Sequence, residues 1–94
     1  MQTNYEVMYI VKPVGEALCQ EVTKKVQAVI TDNEGSVKNV NFGGKKRLAY
    51  EIDTYNDGFY VLITFKADKK AVRELDRVLK ITEDIIRHMI IRKD

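Results

Sequence analysis

The sequence is poor in the residues that build chemical sites. Among its 94 residues there is one cysteine, Cys19, one histidine, His88, one proline and no tryptophan. A lone thiol excludes an internal disulfide, and one thiol with one imidazole gives no metal-ligand spacing. Met1, Met8 and Met89 are dispersed, so no thioether cluster is suggested. No apolar run approaches the ~20 residues that span a bilayer as a helix. The opening MQTNYEVMYIVK lacks the basic region and long apolar stretch of a signal peptide. Gly-x-Ser-x-Gly and Cys-x-x-Cys are both missing. These absences lead to an expectation of a cytoplasmic chain with no cofactor, no metal and no small-molecule substrate.

What is present is ordinary in bulk and uneven in detail. A hydrophobic share of 45% with 32% charge is that of a globular domain, and the length suits one domain over residues 1–94. Net charge is only +2, yet residues 1–34 carry Glu6, Glu16, Glu21, Asp32 and Glu34 against three lysines. From Lys38 to Arg47 there are four cations and no acid, and the C-terminal segment adds Arg87, Arg92 and Lys93. This asymmetry fits a polyanionic partner, and equally a solvated charged surface.

Residues 5–12, YEVMYIVK, are rich in β-branched and aromatic side chains and read as a strand, interrupted by Pro13 and Gly15. Leu18, Val22, Val26, Val29 and Ile30 recur at spacings of three and four, which predicts an amphipathic helix over 16–32. Asn33-Glu34-Gly35 supplies a stop, with the glycine free to take the left-handed conformation. Residues 36–42 alternate poorly and read as an edge strand. Gly43 and Gly44 permit a bend or bulge before the strand resumes through Leu48, Tyr50 and Ile52. Thr54-Tyr-Asn-Asp-Gly58 reads as a turn, with Asp57-Gly58 suited to a hairpin. FYVLITFK, residues 59–66, is the most strand-like segment. Asp68 is a good N-cap for a second helix with Val72, Leu75, Val78 and Leu79 along one stripe. IIRHMIIR then forms a last strand.

The order β-α-β-β-α-β predicts an α+β, ferredoxin-like fold: a four-stranded antiparallel sheet with two helices on one face. Its first and third strands are central, and both are apolar on each side-chain parity. Two helices cover one face only, so the other retains large apolar and aromatic groups. An exposed patch of that kind marks a binding surface.

Candidate chemistry is thin. Gly43-Gly44-Lys45-Lys46 departs from the Gly-x-x-x-x-Gly-Lys-Ser/Thr phosphate loop and leads into a strand, whereas that loop aims a helix N-terminus at phosphate. His88 has no carboxylate or nucleophile identified beside it and reads as a surface or sheet-face residue. Cys19 reads as a small, partly buried side chain. A ferredoxin-like acylphosphatase needs an arginine soon after its first strand, where this chain has Pro13-Val-Gly-Glu16. Gly58-Phe59-Tyr60-Val61 partly resembles the third-strand signature of RNA-recognition motifs, which stack bases on aromatics. Asp57 stands where that signature has a base, and Tyr60 where it has a small residue. A free-standing single-stranded RNA module is therefore the alternative reading.

Four segments in order resemble the bacterial small-subunit ribosomal proteins of the S-six family. They are YEVMYIV followed by Lys12-Pro13, GKKRLAYEI (44–52), DGFYVL (57–62) and LKITEDIIRHMIIRK (79–93). Together they span essentially the full chain. The resemblance implies a ferredoxin-like fold without enzymatic activity. It also implies binding to the central domain of small-subunit ribosomal RNA, with the S-eighteen ribosomal protein as heterodimer partner. In two respects the chain departs from the pattern. Gly43 stands directly before the basic motif where relatives often have an aromatic, and the polar C-terminal tail of many relatives is missing after Asp94. On this basis Lys45, Lys46, Arg47, Arg87, Arg92 and Lys93 are the candidates for RNA phosphate, and Leu48, Tyr50 and Tyr60 for the protein partner. Strand alternation puts Lys46, Leu48, Tyr50 and Ile52 on one side and Arg47, Ala49 and Glu51 on the other.

Overall fold

One of the two central strands of the sheet is the first in the chain. β-Branched and aromatic residues make Thr3–Val11 strand β1, which pairs antiparallel with two later segments at once. In this computed structural model, which describes residues 2–52 and 55–93, the remaining elements are α1 (Glu16–Asp32), β2 (Ser36–Ile52), β3 (Tyr55–Ala67), α2 (Lys69–Ile81) and β4 (Ile85–Arg92). The sheet order is β2-β3-β1-β4, so β1 and β3 are central and β2 and β4 are edges, as the sequence predicts. The register runs Thr3↔Ala67 to Val11↔Phe59 on one side of β1 and Tyr5↔Arg92 to Ile10↔Arg87 on the other.

One parity of the sheet makes the core. Tyr5, Val7, Tyr9 and Val11 of β1 and Val61, Ile63, Phe65 and Ala67 of β3 pack with both helices. From α1 come Cys19, Val22, Val26 and Ile30, and from α2 Ala71, Leu75 and Leu79, all buried. Leu18, Val29 and Val72, expected on the helix stripes, pack at the margin of this core. Tyr5 stacks on Phe65 with ring centroids 5.7 Å apart. The buried Tyr9 hydroxyl meets Thr23 Oγ1 at 2.5 Å, so the polar atoms of the core satisfy one another. Burial pushes the Tyr9 phenol well above its ordinary pKa.

Local signals hold for the helices. The Asp68 carboxylate accepts from Ala71 N–H at 3.1 Å and caps α2 as expected. At the end of α1 the left-handed residue is Glu34, with φ 67°, and not Gly35. Gly35 serves by bareness: a Cβ there would lie 2.8 Å from Ile30 Cγ2 and 2.9 Å from the Ile30 carbonyl.

The connection between β2 and β3 also differs from expectation. Asp57 and Gly58 are strand residues of β3, opposite Arg47 and Lys46, and not a hairpin turn. Ile52 pairs with Tyr55, so the two strands are joined nearer to Ile52 than the Asp-Gly pair suggests. Thr54, part of the turn read from sequence, lies outside the described residues. Gly58 is buried because a Cβ would strike Ile10 Cγ2 and sit 3.1 Å from the Val11 carbonyl. The Asp-Gly pair thus reflects close strand packing. The bend at the glycines, by contrast, is present: the β2–β3 register shifts between Phe42 and Gly44, and Gly44 has φ 81°.

Candidate RNA and partner interface

The basic motif is shaped by that bulge. After Gly44 the pairs are Lys45↔Phe59, Lys46↔Gly58 and Arg47↔Asp57. Since Gly58 offers no side chain, Lys46 lies across its neighbour: its ammonium is 5.7 Å from the centre of the Tyr60 ring, within cation–π range. Lys45 Nζ stands 3.8 Å from an Asp57 carboxylate oxygen, with both groups largely in solvent. Such an exposed pair holds little energy, about 0–1 kcal/mol. Arg47 has no ion pair among the described residues.

Beyond Arg47 the ladder lapses until Ile52, and the segment between folds over the face of the sheet that the helices leave bare. Leu48 is only 8% exposed, and Ile10, on the bare-face parity of β1, is only 3% exposed. Arg87 of β4 donates from Nη1 to the Tyr50 hydroxyl at 2.6 Å, although β2 and β4 are opposite edges. A hollow of about 150 Å³ remains beneath, lined by Met8, Ile10, Leu48, Tyr50, Tyr60 and Arg87 among others. The hairpin is therefore an arch, tied to β4 by one tyrosine–arginine bond. The rest of the bare face stays open along β4, where Met89 and Ile91 are each 43% exposed.

Of the residues proposed from sequence, Lys46, Arg87, Tyr50 and Tyr60 come together at the arch, with Lys45 and Arg47 beside them. Leu48, a candidate for the protein partner, is buried at 8% exposure, and its apolar side chain lines the hollow over the sheet face. Arg92 and Lys93 lie elsewhere. Arg92 pairs with Tyr5 and Arg87 with Ile10, so ~17 Å of strand separates the two arginines at 3.3–3.4 Å per residue. Arg92 also shares the parity of Tyr5, on the helix-bearing side. Lys93 Nζ is 3.9 Å from a Glu6 carboxylate oxygen. Met89 and Ile91 are not among the residues proposed from sequence, although a signal for them exists. They alternate with His88 and Ile90, and only the latter pair faces the helices.

Other candidate chemistry dissolves into structure. His88 is half-buried, and its Nε2 lies 2.9 Å from Asp76 Oδ1, tying β4 to α2. This bond, and then that of Lys80, holds the Asp76 carboxyl below the usual aspartate range. Cys19 is more deeply buried than expected, at 4% exposure, and burial pushes its thiol up, away from the thiolate a nucleophile needs. Phe59, one of two aromatics suited to base stacking, is 9% exposed and in the core, while Tyr60 is overlain by Lys46. The stacking platform of the alternative reading is thus largely occupied. Among the described residues no three His, Cys, Asp or Glu side chains converge as metal ligands.

Comparison with known proteins agrees with this geometry over nearly the whole chain. The sequence model of the family "Ribosomal protein S6" matches residues 4–92. The small ribosomal subunit protein bS6 of Desulforamulus reducens is 50% identical over 91 residues, covering 96% of each chain. That of Desulforudis audaxviator is 46% identical over 92 residues, covering 97% of this chain and 98% of its own. The crystal structure of 30S ribosomal protein S6 from Thermotoga maritima superposes with a TM-score of 0.93 at 30% identity, covering 99% of this chain and 89% of that one. With its fold and its sequence both matching along nearly the whole chain, this chain belongs to the ribosomal protein S6 family.

Proposed function

We propose that the chain is a structural constituent of the small ribosomal subunit that binds the central domain of small-subunit ribosomal RNA together with the S-eighteen ribosomal protein. The observation that carries this reading is the arch: a basic, aromatic hairpin standing beside a sheet face that the chain itself leaves partly apolar. In this reading Lys45, Lys46, Arg47 and Arg87 meet backbone phosphates, which position a protein without reading bases. Tyr50, 62% exposed, with Met89 and Ile91, gives the partner an apolar strip along the open face. Family membership supports the role, since the relatives are small-subunit ribosomal proteins.

The test is binding of transcribed central-domain RNA in the presence of the S-eighteen protein, at several salt concentrations. Substituting Lys45, Lys46 and Arg47 together by Ala is expected to weaken binding. It should also lower the slope of log K against log salt by about 2–3, at ~0.7–0.9 for each phosphate no longer neutralised. An unaltered slope and affinity removes these residues from the RNA interface.

A further inference from the structure

A second cationic surface lies far from the arch, where α2 begins and β4 ends. Arg92 lines one hollow with Lys69 and Lys70 and an adjoining one with Arg73. These four cations come from two separate elements, and none has an ion pair among the described residues. Two carboxylates line these hollows, and both are already engaged, while Glu74 on the same helix pairs with Arg77. Asp68 caps the helix through Ala71 N–H, and Asp76 is held by His88 and Lys80. The arrangement also works against the helix. The first turn of α2 holds no acid, and Lys69 and Lys70 sit at its positive end, where cations are disfavoured. Folding alone therefore gives no reason for this charge.

We propose that Lys69, Lys70, Arg73 and Arg92 form a second polyanion-binding surface that holds a stretch of ribosomal RNA backbone separate from the one at the arch. This rests on the RNA reading above. The ~17 Å of strand between Arg87 and Arg92 is about twice the ~8 Å Debye length at physiological salt. The two surfaces therefore act independently of each other. The protein, 39 Å in its longest dimension, bridges two backbone segments.

The experiment uses the full chain, the S-eighteen protein and transcribed central-domain RNA. Lys69→Gln, Lys70→Gln and Arg73→Gln together are expected to lower the salt slope by about 2–3. The reduction should add to that of the hairpin substitutions when both sets are combined. A slope and affinity left intact by the helix set, while the hairpin set lowers both, overturns the second surface alone. If neither set has an effect, the RNA reading itself fails. Lys69→Glu with Lys70→Glu separates binding from folding. Carboxylates suit the start of a helix, so this variant is expected to melt at higher temperature while binding RNA more weakly. Wild-type RNA affinity in that variant also overturns the proposal.

Discussion

Gly58 carries a packing role that its neighbours disguise. Beside Asp57 it has the form of a turn dipeptide, yet it sits in β3 with no room for even a methyl group. Gly58→Ala forces the added carbon against Ile10 and the Val11 carbonyl, which belong to the rigid centre of the sheet. Overpacking of this kind costs about 1–3 kcal/mol, so the urea midpoint should fall while the slope of the transition stays constant. A turn glycine at a tolerant site gives a much smaller loss. Residue identity is misleading here because the constraint comes from β1, some fifty positions away in sequence. Glu34 teaches the same point at the end of α1. Composition nominates the glycine, but the chain path puts the left-handed turn one residue earlier and asks of Gly35 only that it be small.

At the scale of elements, periodicity is a sound guide wherever one face meets the core. The bounds of α1, the cap of α2 and the span of β4 are all legible, because three- and four-residue spacing, a capping aspartate and a β-branched run act locally. The junction of α2 with β4 is not legible, since it depends on Asp76 and His88 meeting across twelve residues. That junction gives a pH dependence. His88 first, and Lys80 second, lower the folded-state pKa of Asp76. A carboxyl depressed in the folded state adds stability that is complete above its unfolded value of about 3.9 and is lost as pH falls through its lower folded value. Asp76→Asn should therefore flatten the decline of stability below about pH 4. Urea titrations of both proteins between pH 2 and 6 check this, and parallel curves would show that Asp76 makes no net contribution there.

For the whole molecule, the ferredoxin-like layout and its surplus apolar face are readable from two strands that are apolar on both parities. The arch is not, because the Tyr50–Arg87 bond joins opposite edges and no local pattern encodes it. Its consequence for the proposed function is that the apolar strip left open runs along β4 and not through Leu48. Replacing Met89 and Ile91 together by Ser is expected to weaken the heterodimer with the S-eighteen protein at least tenfold. The melting temperature should move little, since both side chains are 43% exposed. Calorimetric titration measures the first quantity and thermal unfolding the second. Unchanged affinity would place the partner on another face.

The central position of β1 has a further consequence, in the order of events during synthesis. Thr3 pairs with Ala67 and Tyr5 with Arg92, so the first strand made is the last to be enclosed. At ~5–20 residues per second, the nascent chain spends roughly 4–20 s with Tyr5-Glu-Val-Met-Tyr-Ile-Val11 lacking its final neighbour. This apolar strand thus emerges before both of its neighbours and waits longest for them, so crowding on the translating ribosome acts on it before β3 or β4.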